Sequence, residues 1–199
     1  MSDLDHSLFR LANGVWIGPE LDTCMIFLDR ANDHGVVWLV LLGMLAGLGG
    51  RNGRWAALSG LVALVVGYAF SEALKNLVMQ PRPFLALPDV RLLVSPPSSY
   101  SFPSSNVAYA FAASVAASLA TRRLLGRWPV WAWAFLALAV AISYSRVYVG
   151  VHYPSDVLGG TILGLSIGWL CALIGSRAGK NEDSGRPTNP PMRASRSGD

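Results

Sequence analysis

Between residues 36 and 174 the chain is a series of long apolar runs broken only by short polar stretches. No other feature narrows the possible folds so far. The runs cover residues 36–50, 55–78, 107–120 (extended by Leu124 and Leu125), 130–143 and 157–174. Hydrocarbon offers the backbone no hydrogen-bond partners, so a segment inside it has to satisfy its own amides, as a helix does. Crossing takes about 20 residues. The run at 36–50 falls short of that, which predicts a helix that borrows residues from upstream. The expected fold is all-α, a polytopic transmembrane helical bundle of about five spans. Composition agrees: 52% of the 199 residues are hydrophobic and 14% charged, against about 25% charged in a soluble domain. Seven Trp, with Gly and Ala scattered through the apolar runs, suit helices packed closely in a bilayer.

The remainder divides around this core. Residues 1–35 carry Asp3, Asp5, Glu20, Asp22, Asp29 and Asp33 against Arg10 and Arg30, with Leu4, Leu8, Leu11, Leu21, Met25 and Leu28 at roughly helical spacing. That pattern predicts an amphipathic helix lying in the membrane interface. It lacks the basic start and clean apolar stretch of a cleaved signal peptide. Residues 36–175 form the expected core, and 176–199, rich in Gly, Pro, Ser, Asn and Arg, a disordered tail. Five spans place Arg51, Arg54, Arg122, Arg123 and Arg127 on the side of the tail, and the excess of arginine makes that side cytoplasmic. The N-terminal segment and the loops at 79–103 and 145–156 then face the periplasm or outside, in a multi-pass protein of the inner (plasma) membrane. The net charge of +4 gathers at the ends of apolar segments without aromatic platforms, which argues against nucleic acid as a partner. Cys24 and Cys171 support neither a disulfide framework nor a metal site.

The outward side collects the chemistry. His152, one of three histidines, lies six residues after Arg146 and four before Asp156, between two apolar flanks. Topology brings Lys75 and Arg82, from the end of the second run, to the same side. Arginine presents paired donors to an oxyanion and lysine a point charge, so three cations around one histidine point to a phosphate. A helix starting near Ser104 adds its positive end. A neutral His152 can attack phosphorus and form a phosphohistidine that water later hydrolyses. Asp156 can accept the other ring N–H and fix the tautomer. This scheme uses no cofactor, and no His/Asp/Glu cluster suggests a metal.

Lys75-x6-Arg82-Pro83, then Pro103-Ser104, then Ser145-Arg146-x5-His152-x3-Asp156 resembles the three-part signature of the type 2 phosphatidic acid phosphatase superfamily, over roughly residues 20–175. The resemblance implies a helical bundle with an outward-facing, metal-independent site. It also implies phosphate binding by Lys75, Arg82, Ser104 and Arg146, a nucleophile at His152 and an orienting role for Asp156. One motif departs from the pattern. The family usually reads Pro-Ser-Gly-His where this chain reads Pro103-Ser104-Ser105-Asn106. Ser105 keeps the backbone N–H that a phosphate would use. Asn106 stands where the family has its general acid, and an amide cannot deliver a proton at neutral pH.

Three consequences of Asn106 compete. The substrate carries a pyrophosphate, whose leaving phosphate needs little proton help; or another histidine, His34 or His6, supplies the proton; or the chain is an inactive variant. The implied function is an integral membrane phosphatase acting on a lipid phosphate or pyrophosphate of polyprenyl, lipid A or phosphatidylglycerol phosphate type. The alternatives are a lipid phosphotransferase using the same intermediate and a binder of lipid phosphates without turnover. Plainer roles exist for single residues. Lys75 can pair with Glu72, Arg146 with Asp156, and Ser104, Ser105 and Asn106 can serve as helix caps. Gly159, Gly160, Gly164 and Gly168 can pack within one chain or between copies, which leaves the oligomeric state open.

Overall fold

The computed structural model describes residues 3–15 and 17–184, with side chains through Leu173. In chain order the helices are α1 (Asp3–Gly14), α2 (Pro19–Ala31), α3 (Val36–Leu48), α4 (Gly50–Val78), α5 (Pro83–Ala86), α6 (Ser105–Leu125), α7 (Trp131–Tyr148) and α8 (Pro154–Ser184). A 3-10 turn, Asp33–Gly35, joins α2 to α3. Local chemistry sets the boundaries. Pro19 opens α2 after an extended Gly18, because its missing N–H costs nothing in a first turn. α4 stops at a left-handed Met79 just ahead of Pro81 and Pro83, which cannot continue a helix. α3 turns back directly into α4, and a Cβ on Gly49 would lie 2.7 Å from the Gly53 Cα, so only glycine permits that approach.

The bundle is built around α6. Nearly every residue of this helix from Ser105 to Thr121 is buried, and most are alanine or serine. Small side chains let neighbouring backbones come close. On α8, a Cβ at Gly160, Gly164 or Gly168 would come within 3.0 Å of the carbonyl oxygens of Ser104, Ala108 and Ala112 respectively. On α4, Gly60 and Gly67 face Ala113 and Ala112 in the same way. Lipid tails are as apolar as leucine, so association in a bilayer rests on this close van der Waals fit rather than on hydrophobic burial. The glycine stripe of α8 therefore packs within the chain. The faces turned away from α6 carry exposed Val40, Met44, Val62, Val65, Val140 and Ile162, a surface suited to lipid.

Gly50–Ala86, Trp131–Tyr148 and Pro154–Leu173 are long and apolar enough to cross a bilayer, and α2 with the Asp33–Leu48 stretch qualifies as a pair bent by 55°. The chain is a multi-pass membrane protein with an all-helical bundle. The central α6 matches the spans in length, at 21 residues, but is less apolar because it faces protein on all sides. The upstream residues expected to extend the first span do join it, but through an elbow. His34 (φ 51) and Gly35 (φ 74) are left-handed there, which breaks the helix. The amphipathic N-terminal segment is likewise two helices, α1 and α2, parted at Gly18-Pro19. α1 turns Asp5, Phe9 and Asn13 inward and exposes Leu4, Leu8 and Leu11. At the other end α8 runs past the expected boundary at 175 to Ser184, and residues 185–199 of the expected tail lie outside the described residues.

Candidate active site

α4 and α7 end, and α6 and α8 begin, at one end of the bundle. These four ends, the elbow and the 79–104 segment enclose a cavity of about 710 Å³. Lys75, Arg82, Ser105, Asn106, Arg146 and His152 all line it. Ser104 and Asp156 do not; both are fully buried.

His152 sits on the short linker between α7 and α8. The backbone N–H groups of Val151 and His152 both donate to the Arg146 carbonyl at 3.2 Å, which folds the linker back on the end of α7. The ring Nε2 lies 3.3 Å from Arg82 Nη1, and Nδ1 lies 3.4 Å from Asp156 Oδ2. A guanidinium nitrogen only donates, so Nε2 carries the lone pair and Nδ1 the proton turned toward Asp156. The carboxylate is itself held from three further directions. Ser101 Oγ donates to Oδ2 at 2.5 Å, the Tyr153 N–H to Oδ2 at 2.8 Å, and Gln80 Nε2 to Oδ1 at 2.8 Å. Burial disfavours the charged ring, and Arg82, Arg146 and Lys75 add repulsion, so His152 titrates well below the ordinary histidine value. It is a neutral imidazole with an oriented acceptor nitrogen.

The three cations are held differently. Arg82 is held through all three nitrogens: Nε donates to the Ser99 carbonyl at 2.7 Å, Nη1 to the Val151 carbonyl at 2.9 Å, and Nη2 to Ser99 Oγ at 3.0 Å. Lys75 Nζ lies 2.8 Å from Glu72 Oε1 and 3.3 Å from Ser99 Oγ. Arg146 pairs through Nη1 with Asp29 of α2, while its Nε is buried without a partner. The residue as a whole lines the cavity, where a guanidinium suits an anion.

Position 106 forms a second wall with the elbow. Tyr109 Oη donates to the Asn32 carbonyl and lies 2.8 Å from Asn106 Oδ1. Asn32, fully buried, accepts from Trp38 Nε1 at 2.9 Å and reaches the Asn106 carbonyl at 3.5 Å. Ser105 Oγ donates to Glu72 Oε1 at 2.7 Å. Ser104 caps α6 with its backbone alone, and its buried hydroxyl has no partner.

Sequence reasoning thus named seven residues that line one cavity, His34 among them, and two more that stand behind it. The plain pairing of Lys75 with Glu72 holds as well, one helical turn apart. The suggested Arg146–Asp156 pair does not form; Asp29 takes Arg146, and Asp156 is occupied by Ser101, Gln80 and Tyr153. Asp29, Ser99, Ser101, Gln80 and Tyr109 were missed. Only Asp29 had a signal, as an acidic residue on an apolar helical face; the others belong to no motif.

Comparison with known proteins places this geometry in a family. The model of the PAP2 superfamily matches residues 56–180. The undecaprenyl-diphosphatase of Sulfolobus acidocaldarius is 32% identical over 85% of this chain and 77% of its own length. The decaprenylphosphoryl-5-phosphoribose phosphatase of Mycobacterium tuberculosis is 34% identical over 74% of this chain and 77% of its own. Among solved structures, Aquifex aeolicus LpxE superposes with a TM-score of 0.71 at 29% identity, covering 85% of this chain and 95% of that one. With the family model matching more than half of its length and these relatives aligned along most of it, the chain belongs to the PAP2 superfamily.

Proposed function

We propose that this protein is an integral membrane phosphatase that removes a phosphate from a lipid phosphate or pyrophosphate at the outer face of the inner membrane. One observation carries the reading: the neutral Nε2 of His152 stands 3.3 Å from Arg82, in a cavity also lined by Lys75 and Arg146. Nε2 attacks phosphorus and forms a phosphohistidine, and water then releases phosphate. Arg146, Lys75 and Arg82 supply positive charge around the phosphoryl oxygens, which is most of the catalytic task in phosphoryl transfer. Ser105 adds its N–H at the head of α6, with Ser104 buried behind it. Asp156 holds the ring and offsets the charge it gains. The exposed apolar faces keep the lipid chain in the bilayer while its phosphate enters the cavity. Two relatives named for polyprenyl substrates, one a diphosphatase and one a phosphatase, favour a polyprenyl lipid.

The test is phosphate release by purified protein in detergent from a prenyl pyrophosphate, phosphatidylglycerol phosphate, phosphatidic acid and lipid A. Turnover abolished by His152→Ala is the expected result. Asn106 favours a second reading, a binder of lipid phosphates, and binding with no release from any of the panel identifies it. Transfer of the phosphoryl group to a second lipid identifies a phosphotransferase. The outward orientation is tested by a cysteine at Ser98, on the cavity rim. It is expected to react with an impermeant thiol reagent in intact cells, and protection there reverses the topology.

A further inference from the structure

We propose that the elbow between α2 and α3 is a fourth catalytic segment, and that His34 on it donates the proton that Asn106 cannot. This inference rests on the phosphatase reading above. The elbow lies outside residues 56–180, the part that the family model matches, so nothing in that match assigns it a role.

Three observations place it. First, the residues that lead into it are tied to the site. Asp29 at the end of α2 holds Arg146, and Asn32 is tied to Tyr109, Trp38 and the Asn106 carbonyl. Because Asn32 is anchored to residue 106 itself, Asp33 and His34 are carried to that edge of the cavity. Second, His34 lines the same cavity as His152, Lys75, Arg82 and Arg146. Its φ of 51 is left-handed, a conformation that histidine adopts more readily than most residues, and it turns the chain at the cavity edge. Third, its ring has both nitrogens placed for a proton relay: Nδ1 lies 3.1 Å from Asp33 Oδ1, and in the doubly protonated ring Nε2 carries the second proton. The side chain is 88% exposed, at the mouth of the cavity, so the pair can exchange protons with water between turnovers.

The other groups near position 106 are committed elsewhere. Asn106 has no labile proton. The single hydroxyl proton of Tyr109 is claimed by two acceptors, the Asn32 carbonyl and Asn106 Oδ1. Glu72 accepts from both Lys75 and Ser105 and has no proton to give. Of the histidines only His34 and the nucleophile His152 line the cavity, and a histidine is the side chain best matched to general acid catalysis near neutral pH.

The step balances. Nε2 of His152 forms the N–P bond as the P–O bond to the lipid breaks, and the leaving oxygen takes the Nε2 proton of a doubly protonated His34, which is left neutral with its Nδ1–H toward Asp33. Water then attacks the phosphohistidine and returns a proton to His34. The N–P electron pair goes back to His152, and inorganic phosphate leaves.

A general acid matters in proportion to the basicity of the leaving group. The experiment compares dodecyl phosphate, a prenyl pyrophosphate and p-nitrophenyl phosphate as substrates of the full chain in detergent. The variants are His34→Asn, Asn106→His, the double substitution, and His152→Ala as blank; asparagine tolerates the left-handed backbone, so the fold is kept. The proposal expects His34→Asn to lose on the order of 10²-fold on dodecyl phosphate, at least about tenfold more than on p-nitrophenyl phosphate. It also expects Asn106→His to restore the alkyl substrate in the His34→Asn background. An equal loss on all three substrates, or no loss, overturns it. Silence of the unmodified chain with activity in Asn106→His overturns the role of His34 and leaves the phosphatase reading standing. Silence of both overturns the two together.

Discussion

The two walls of the cavity are built on opposite plans. On the His152 wall Asp156 receives four contacts, Arg82 uses all three of its nitrogens, and the backbone is folded onto Arg146. On the Asn106 wall a left-handed histidine sits on an elbow held by one buried asparagine and one ion pair. The first wall is fixed in position by redundancy, which under the proposed mechanism lets His152 meet phosphorus in one geometry. The second is lean and adjustable. Damage to the first is expected to harm every substrate alike, and damage to the second to depend on the leaving group.

Asp156→Asn probes the rigid wall and carries the largest expected effect. An amide there favours the wrong tautomer of His152, and phosphate release is expected to fall roughly 10⁴-fold for alkyl and aryl substrates alike. A loss confined to alkyl phosphates would merge the two walls into one. Asp29→Asn attacks the anchor of the lean wall. It strands the buried Arg146 charge, and thermal unfolding in detergent is expected to show a loss of about 3–5 kcal/mol. Asn32→Ala is milder. It leaves Trp38 Nε1 without its acceptor, at about 1–3 kcal/mol, and is expected to lower the alkyl-to-aryl activity ratio. The smallest effect is in pH. Burial and three nearby cations disfavour the charged form of His152, so the free base persists as pH falls. The acid limb of kcat/KM on p-nitrophenyl phosphate is therefore expected below the ordinary histidine value of about 6.5. A limb at or above that value would mean that the ring is more open to water than its wall implies.

The rigid wall was far more legible in the sequence than the lean one. Arg146, His152 and Asp156 stand at fixed spacings on a short linker between two helices, so local chain geometry almost determines how they meet. Lys75 and Arg82 follow from topology, because both end the same helix. Asp29 and Asn32 meet the site only through tertiary packing, across more than 70 residues of sequence, and no spacing rule encodes that. His34 was visible only as one of two spare histidines that could replace the missing acid, and nothing in its spacing placed it, rather than His6, at the cavity. The spans show the same limit. Apolar runs located the helices, but the elbow depends on the left-handed pair His34 and Gly35, which hydropathy does not register.

Because α6 is enclosed by α4 and α8, evolution had no lipid to satisfy along it. Ser114 and Ser118 keep buried hydroxyls without partners, and a pair of arginines closes its far end. Such a segment gains little by entering a bilayer alone. It enters as a passenger, its place prepared by the glycine-lined flanks of its neighbours. The site at its head is then completed only when α8 closes against it and brings His152 and Asp156 together to Arg82, Gln80 and Ser101.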